Sequence, residues 1–306
     1  MAKILVATEK PFAAIAVNGI KEICDNAGFE LVLLEKYTDK KDLIAAACDV
    51  DAIIIRSDKI DKEVLDAGKN LKIVVRAGAG YDNVDLEAAT ANNVVVMNTP
   101  GQNSNAVAEL AVGMMIYLNR NGFNGSAGTE LRGKKLGIHG YGHIGKILAH
   151  IGKGLGMKVY AHDPFIDRII IENDGVVCEE DLGTLYSKCQ YISVNIPANN
   201  QTKGSLNKEL LSKMPEGATL VNTARKEIID EAGLLQVFAN RKDFRYISDI
   251  APDCKTEIEE KYAGRYFFTP KKMGAQTAEA NINAGLAAAK QIVGYITDGD
   301  TTFKVN

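Results

Sequence analysis

The hexapeptide Gly140-Tyr141-Gly142-His143-Ile144-Gly145 sits where an apolar run, Lys135 to His139, gives way to a helical stretch beginning near Ile144. Three glycines at this spacing between strand and helix constrain the local fold tightly. The first permits a tight turn, the second lets backbone approach a pyrophosphate, and the third lets helix lie on strand; His143 and Ile144 complete a turn whose free N–H groups face an anion. A second apolar run, Lys158 to Ala161, ends in His162-Asp163, which places a carboxylate eighteen residues after Gly145. The second strand of a dinucleotide-binding unit presents its acid to the ribose hydroxyls from there. That charge repels a 2′-phosphate and no Arg adjoins it, so the residues select NAD.

Short apolar runs at Ile4–Ala7, Glu30–Leu34, Ala52–Ile55, Ile73–Val75 and Val94–Met97 alternate with helix-length segments such as Ala13–Asn26 and Asp61–Ala67. The runs are continuous, not alternating, which predicts a parallel sheet covered on both faces. Turn residues at Asn98–Asn103 precede an apolar helix over Ala106–Tyr117, and further strands are predicted at Tyr191–Ile196, Thr219–Asn222 and Tyr246–Ile250. The expected fold is α/β with two doubly wound parallel-sheet domains. A flavodoxin-like substrate-binding domain takes residues 1–98 and 285–306, and a Rossmann NAD-binding domain takes 99–284. Two chain crossings between them suit a hinge.

The chain has 306 residues, 46% hydrophobic, with a formal net charge of −3, which gives no basic field to attract nucleic acid or an anionic membrane. The opening apolar run, Ile4–Ala7, is too short for a signal peptide or a membrane span. Cys24, Cys48, Cys178, Cys189 and Cys254 lack CxxC spacing, so reduced thiols, no metal site and a cytoplasmic location are expected. The expected partner is a small molecule.

Ile55-Arg56-Ser57, the run Arg76 to Asp85, Asn98-Thr99-Pro100, Val107-Ala108-Glu109, the glycine turn, Ser193 to Pro197, Asn222-Thr223-Ala224-Arg225, Ser248-Asp249 and Thr269-Pro270 together resemble the D-2-hydroxyacid dehydrogenases over nearly the whole chain. Within that family the similarity is greatest to the short-form branch that oxidises 3-phosphoglycerate with NAD, the first step of serine biosynthesis. The resemblance implies that Arg225 grips the substrate carboxylate and polarises the C2 oxygen, a task suited to a planar guanidinium. It implies cofactor contacts from Pro197, Ala198, Thr202, Thr223, Asp249 and Gly274 besides Gly140, Gly142, Gly145 and Asp163. It also implies a homodimer, through the Ala106–Leu118 helix and the segment from Asn119 to Thr129.

Two positions depart from the family. Its acid–base His follows Thr-Pro directly and is held by a Glu; here no His occurs after His162, Lys271-Lys272 follow Pro270, and Cys254 stands at the Glu position beside Asp253. The stretch to Thr277 is one residue longer, so counting from Pro270 selects Lys271 and counting back from Thr277 selects Lys272. The Gly274-Ala275 turn favours Lys272, with Lys271 as the alternative. A lysine begins near pKa 10.4, and a carboxylate beside it would raise that value, so loss of His together with Glu is coherent as one change of mechanism.

For the substrate, Arg56, Ser57 and Asn103 suit a phosphate dianion, and Gly78, Ala79 and Gly80 offer backbone N–H groups to a carboxylate. Arg56 could instead be a strand-end cation paired with Asp58 or Asp61. The rival functions are a dehydrogenase of an unphosphorylated acid such as lactate or glycerate, and a non-catalytic NAD-binding regulator on the same scaffold.

Overall fold

The computed structural model describes all 306 residues, which divide into two compact units, 1–103 with 276–306, and 104–275. The sequence placed the boundaries at 98 and 285. The first falls at 103, and the second falls earlier, at 275, because the helix Ala278–Asp298 starts there and packs on Ala14–Asn26, so the whole helix belongs to the first unit.

The first unit holds a five-stranded parallel sheet of β1 (Lys3–Thr8), β2 (Glu30–Glu35), β3 (Ala52–Ile55), β4 (Ile73–Arg76) and β5 (Val95–Asn98), in the order β2-β1-β3-β4-β5. Successive side chains point to opposite faces, and both faces are apolar. Leu5, Ile53, Ile55, Val74 and Val96 enter one core, whereas Ile4, Val6, Ile54, Val75 and Met97 enter the other. Ile53 and Ile54 are fully buried, each contributing about 1.5–3 kcal/mol. Aspartates begin three of the covering helices. The side chains of Asp39, Asp61 and Asp85 each accept from a backbone N–H of the first turn. The C-terminal residues belong to this unit, where the Asn306 side chain accepts from Val96 N at 2.8 Å and Val305 N donates to Val96 O at 2.9 Å.

The second unit holds seven parallel strands: β6 (Lys135–His139), β7 (Lys158–His162), β8 (Val177–Cys178), β9 (Tyr191–Val194), β10 (Thr219–Asn222), β11 (Arg245–Ser248) and β12 (Tyr266–Phe268). Their order is β12-β11-β10-β9-β6-β7-β8. The strands β8 and β12 were not expected, because two or three residues carry less than one alternation of pattern. Successive strands are added to one side of β6 up to β8 and to its other side from β9 onward, and His139 is in register with both Val194 and His162, so the strand ends align there. In such a sheet a crevice opens outside those carboxyl ends. No helix of the chain is long and apolar enough to cross a membrane.

Candidate active site

The glycine turn is built as its spacing predicts. Gly140 has φ 97° and donates its N–H to His162 O at 2.9 Å, tying β6 to β7. A Cβ on Gly145 would stand 2.4 Å from Gly140 O, so only glycine lets the helix His143–Gly154 start so close to the strand. Gly142 differs: a Cβ there would meet nothing within 4 Å. The protein itself does not require glycine at this helix start. The open space suits a pyrophosphate brought against the first helical N–H groups. His143 opens the helix exposed, and Ile144 packs partly into the core. Tyr141 is fully buried, donates its hydroxyl to Asp174 Oδ2 at 3.0 Å, and so anchors the turn from below.

Asp163 follows β7, and its carboxylate accepts from Tyr141 N at 2.7 Å and Phe165 N at 2.9 Å. Both oxygens hold the turn while keeping further lone pairs for ribose hydroxyls. Beyond β9 the chain runs beside the glycine turn, since Asn195 N donates to His139 O at 2.8 Å and a Cβ on Gly140 would come within 2.9 Å of Ile196. Pro197 is exposed there, and Ala198 packs on the core below β9. The Thr202 hydroxyl donates to Pro197 O at 2.6 Å and accepts from Asn199 N at 2.8 Å. Thr202 therefore shapes this loop from within.

At the end of β10 the Asn222 amide accepts from Ala224 N at 3.0 Å and donates to Arg225 O at 2.9 Å, clasping the turn on both sides. Arg225 leaves it half-buried, with Nη1 donating to Ala224 O at 3.0 Å. Thr223 is buried and its hydroxyl has no partner within the chain. An unpaired buried hydroxyl is unfavourable unless a ligand completes it, which fits a cofactor at this edge. At the end of β11, Asp249 is 1% exposed and accepts from Thr269 Oγ1 at 3.0 Å, Met273 N at 2.9 Å and Gly274 N at 2.8 Å. Asp249 and Gly274, both expected to contact the cofactor, are bonded to each other.

In the first unit, Arg56 leaves β3 and Arg76 ends β4, where Arg76 Nε donates to Arg56 O at 3.0 Å. The Arg56 guanidinium donates to Lys10 O at 3.0 Å, Pro11 O at 3.3 Å and Asn281 Oδ1, and lies 5.2 Å from the Phe12 ring centroid. Its bonds go to neutral acceptors, not to Asp58 or Asp61. Asp58 instead accepts from Tyr37 Oη at 2.8 Å and Glu9 N at 2.7 Å. Gly78 has φ 148°, and a Cβ there would fall 1.6 Å from Arg76 Nη1. Asn98 Nδ2 donates to Ala79 O at 2.7 Å, fixing the stretch that ends at Gly80. Ser57 is exposed and Asn103 half-buried. Arg56, Ser57 and Gly78 to Gly80 thus collect at the carboxyl ends of β3 and β4.

Residues 111–263 match the NAD binding domain of the D-isomer specific 2-hydroxyacid dehydrogenases. A hydroxypyruvate reductase from Thermotoga maritima is 34% identical over 282 residues, 86% of this chain and 90% of that protein. The chain belongs to the D-2-hydroxyacid dehydrogenase family. A rat D-3-phosphoglycerate dehydrogenase is 33% identical over 94% of this chain, which spans 56% of that longer relative. Among solved structures, an NAD+-bound 3-phosphoglycerate dehydrogenase from Entamoeba histolytica is 50% identical and superposes with a TM-score of 0.88, covering 100% of this chain and 98% of that one.

The stretch that follows Pro270 carries two lysines and no histidine. Lys271, Lys272 and Met273 are exposed, between Thr269 and Gly274, which are buried. The Cys254 thiol is pushed up to about 12, first by burial and then by Glu231, so it stays protonated. The sequence offered Asp253 as the carboxylate of that loop, and Glu231 adds a second from the helix Glu231–Asn240. Its oxygens accept from Asp253 N at 2.8 Å and Cys254 N at 2.7 Å. Asp253 pairs with Lys226 at 2.5 Å. Only the three-dimensional fold brings position 231 to position 254.

Proposed function

We propose that the chain oxidises 3-phosphoglycerate at C2, or reduces its 2-keto product, with NAD as the partner substrate. The observation that carries this reading is 50% identity along the full chain to a 3-phosphoglycerate dehydrogenase. NAD would be held by Gly140, Gly142 and Gly145 at its pyrophosphate, by Asp163 at a ribose, and by Pro197, Ala198 and Thr223 along the sheet edge. Bound there, it supplies the hydride acceptor.

Arg225, presented by the Asn222-clasped turn, orients the substrate carboxylate and draws charge onto the C2 oxygen as the carbonyl forms or disappears. Lys272 takes up the hydroxyl proton during oxidation and returns it during reduction. Arg56, Ser57 and Asn103 receive the phosphate dianion, and the Gly78–Gly80 backbone receives the carboxylate end. The free cysteines fit a reducing cytoplasm, and the active form is a homodimer.

The hydroxypyruvate reductase relative favours a second reading, an unphosphorylated substrate. Steady-state rates on 3-phosphohydroxypyruvate and hydroxypyruvate decide between them. The first reading requires at least a tenfold preference for the phosphorylated acid that collapses in Arg56→Ala. Lys272→Ala is expected to lower turnover by about a hundredfold or more with NADH affinity intact, and Lys271→Ala to stay near wild type. Turnover retained in both lysine variants removes lysine from the chemistry.

A further inference from the structure

We propose that Asp249 is a positioning residue that fixes Lys272, and not Lys271, by bonding the backbone on its carboxyl side. The inference rests on the reading that Lys272 exchanges the substrate proton. Thr269 N donates to Ser248 O at 3.1 Å, and its hydroxyl lies 2.7 Å from Asp249 O and 3.0 Å from Asp249 Oδ1. The loop is thereby pinned to β11 where it starts. It is pinned again where it ends, by Met273 N at 2.9 Å and Gly274 N at 2.8 Å from the same carboxylate. Pro270, Lys271 and Lys272 lie between the two clamps.

The Met273 N–H belongs to the same rigid peptide plane as the Lys272 carbonyl, so the bond to Asp249 orients Lys272 directly. Lys271 is a further peptide plane away. Gly274 lets the clamp close, because a Cβ would stand 3.0 Å from Asp249 Oδ2 and 3.2 Å from Val107. Burying a carboxylate is unfavourable, and this one is spent on ordering a loop whose tip is exposed. An exposed tip needs no such order for packing. It needs order when a side chain on it must meet a reacting atom. Residue 249 also sets the register of this loop, where spacing alone left two lysines open.

The test uses the full-length enzyme. Asp249→Asn presents an amide to N–H donors and is expected to lower kcat at saturating NADH about a hundredfold. Hydrogen exchange at Met273 and Gly274 should accelerate while the β10 amides stay protected. Thr269→Val, a milder change, should lower kcat severalfold in the same pattern. In single turnovers with enzyme in excess, adding Asp249→Asn to Lys272→Ala should lose little more than Lys272→Ala alone. Wild-type kcat in both Asp249→Asn and Thr269→Val overturns the inference, as does an NADH affinity lost by tenfold with kcat preserved at saturation. Additive losses in the double variant overturn it too. If Lys272→Ala itself turns over normally, the mechanism falls and this inference with it; if Lys272→Ala is inactive but Asp249→Asn is not, only the positioning role falls.

Discussion

His139 ends β6 beneath the glycine turn, buried, with Nδ1 3.2 Å from the Tyr186 hydroxyl and its ring centroid 6.2 Å from that of His162. Burial, and then the His162 charge, lower its pKa from 6.5 to about 4, with Asp163 opposing weakly. The unfolded imidazole binds a proton as pH falls through 6.5, and the folded one refuses it until about 4. Its contribution to stability is therefore fully present above 6.5 and declines as pH falls from there toward 4. Between pH 7.5 and pH 5 this single group accounts for a loss of about 2 kcal/mol. Urea unfolding of wild type and His139→Gln at those two pH values checks it. The variant should lose about 2 kcal/mol less on acidification, and equal losses would show that His139 is not the group held neutral.

The strand–turn–helix from Lys135 to Gly154 separates two reasons for a glycine. Gly145→Ala drives a Cβ against Gly140 O, so the helix must lift from the strand and stability should fall by about 2–3 kcal/mol. Gly142 has φ −76° and ψ −157°, an extended conformation open to any residue, and free space where a Cβ would go. Gly142→Ala should therefore melt like wild type yet bind NADH at least tenfold more weakly, measured by nicotinamide fluorescence. A fully NADH-competent Gly142→Ala would show that the pyrophosphate lies elsewhere. This element was legible in the sequence because the glycine spacing and the acid after the next strand form one recurring strand–turn–helix–strand pattern, although Asp163 meets Tyr141 N from 22 residues away. Continuous apolar runs likewise gave the buried strands β3 and β10 to the residue. What stayed hidden was long-range and polar. Glu231 on the backbone of Cys254, Asn281 on Arg56 and Asp249 on Gly274 join positions 23 to 225 residues apart, and no periodicity records such a bond.

For the molecule as a whole, the exposed surface bears most on the proposed homodimer. The helix Ser104–Asn119 runs into Asn121, Gly122 and Phe123, with φ of 51°, 64° and 60°, and residues 123–130 are all exposed. Left-handed backbone is unfavourable by about 1–2 kcal/mol for a residue with a side chain, and Phe123 is bulky. It is nevertheless 64% exposed, meeting Tyr117 edge-on at 5.4 Å between ring centroids. Strain that presents an aromatic ring to solvent is poor economy for a monomer and reasonable for a chain whose second copy covers the ring. In a twofold dimer the contact occurs twice, so burying the exposed two thirds of both rings contributes about 2–4 kcal/mol to association. Phe123→Ser should then weaken the dimer at least about thirtyfold. Sedimentation equilibrium from 0.1 to 50 μM, concentrations chosen to be on the order of dimer dissociation constants, should give about twice 33.0 kDa for wild type. The variant should move toward the single-chain mass while its melting temperature holds, because Phe123 contributes little to its own unit. A wild-type mass of one chain at the highest concentration would exclude the dimer, and an unchanged mass in Phe123→Ser would move the interface to another face.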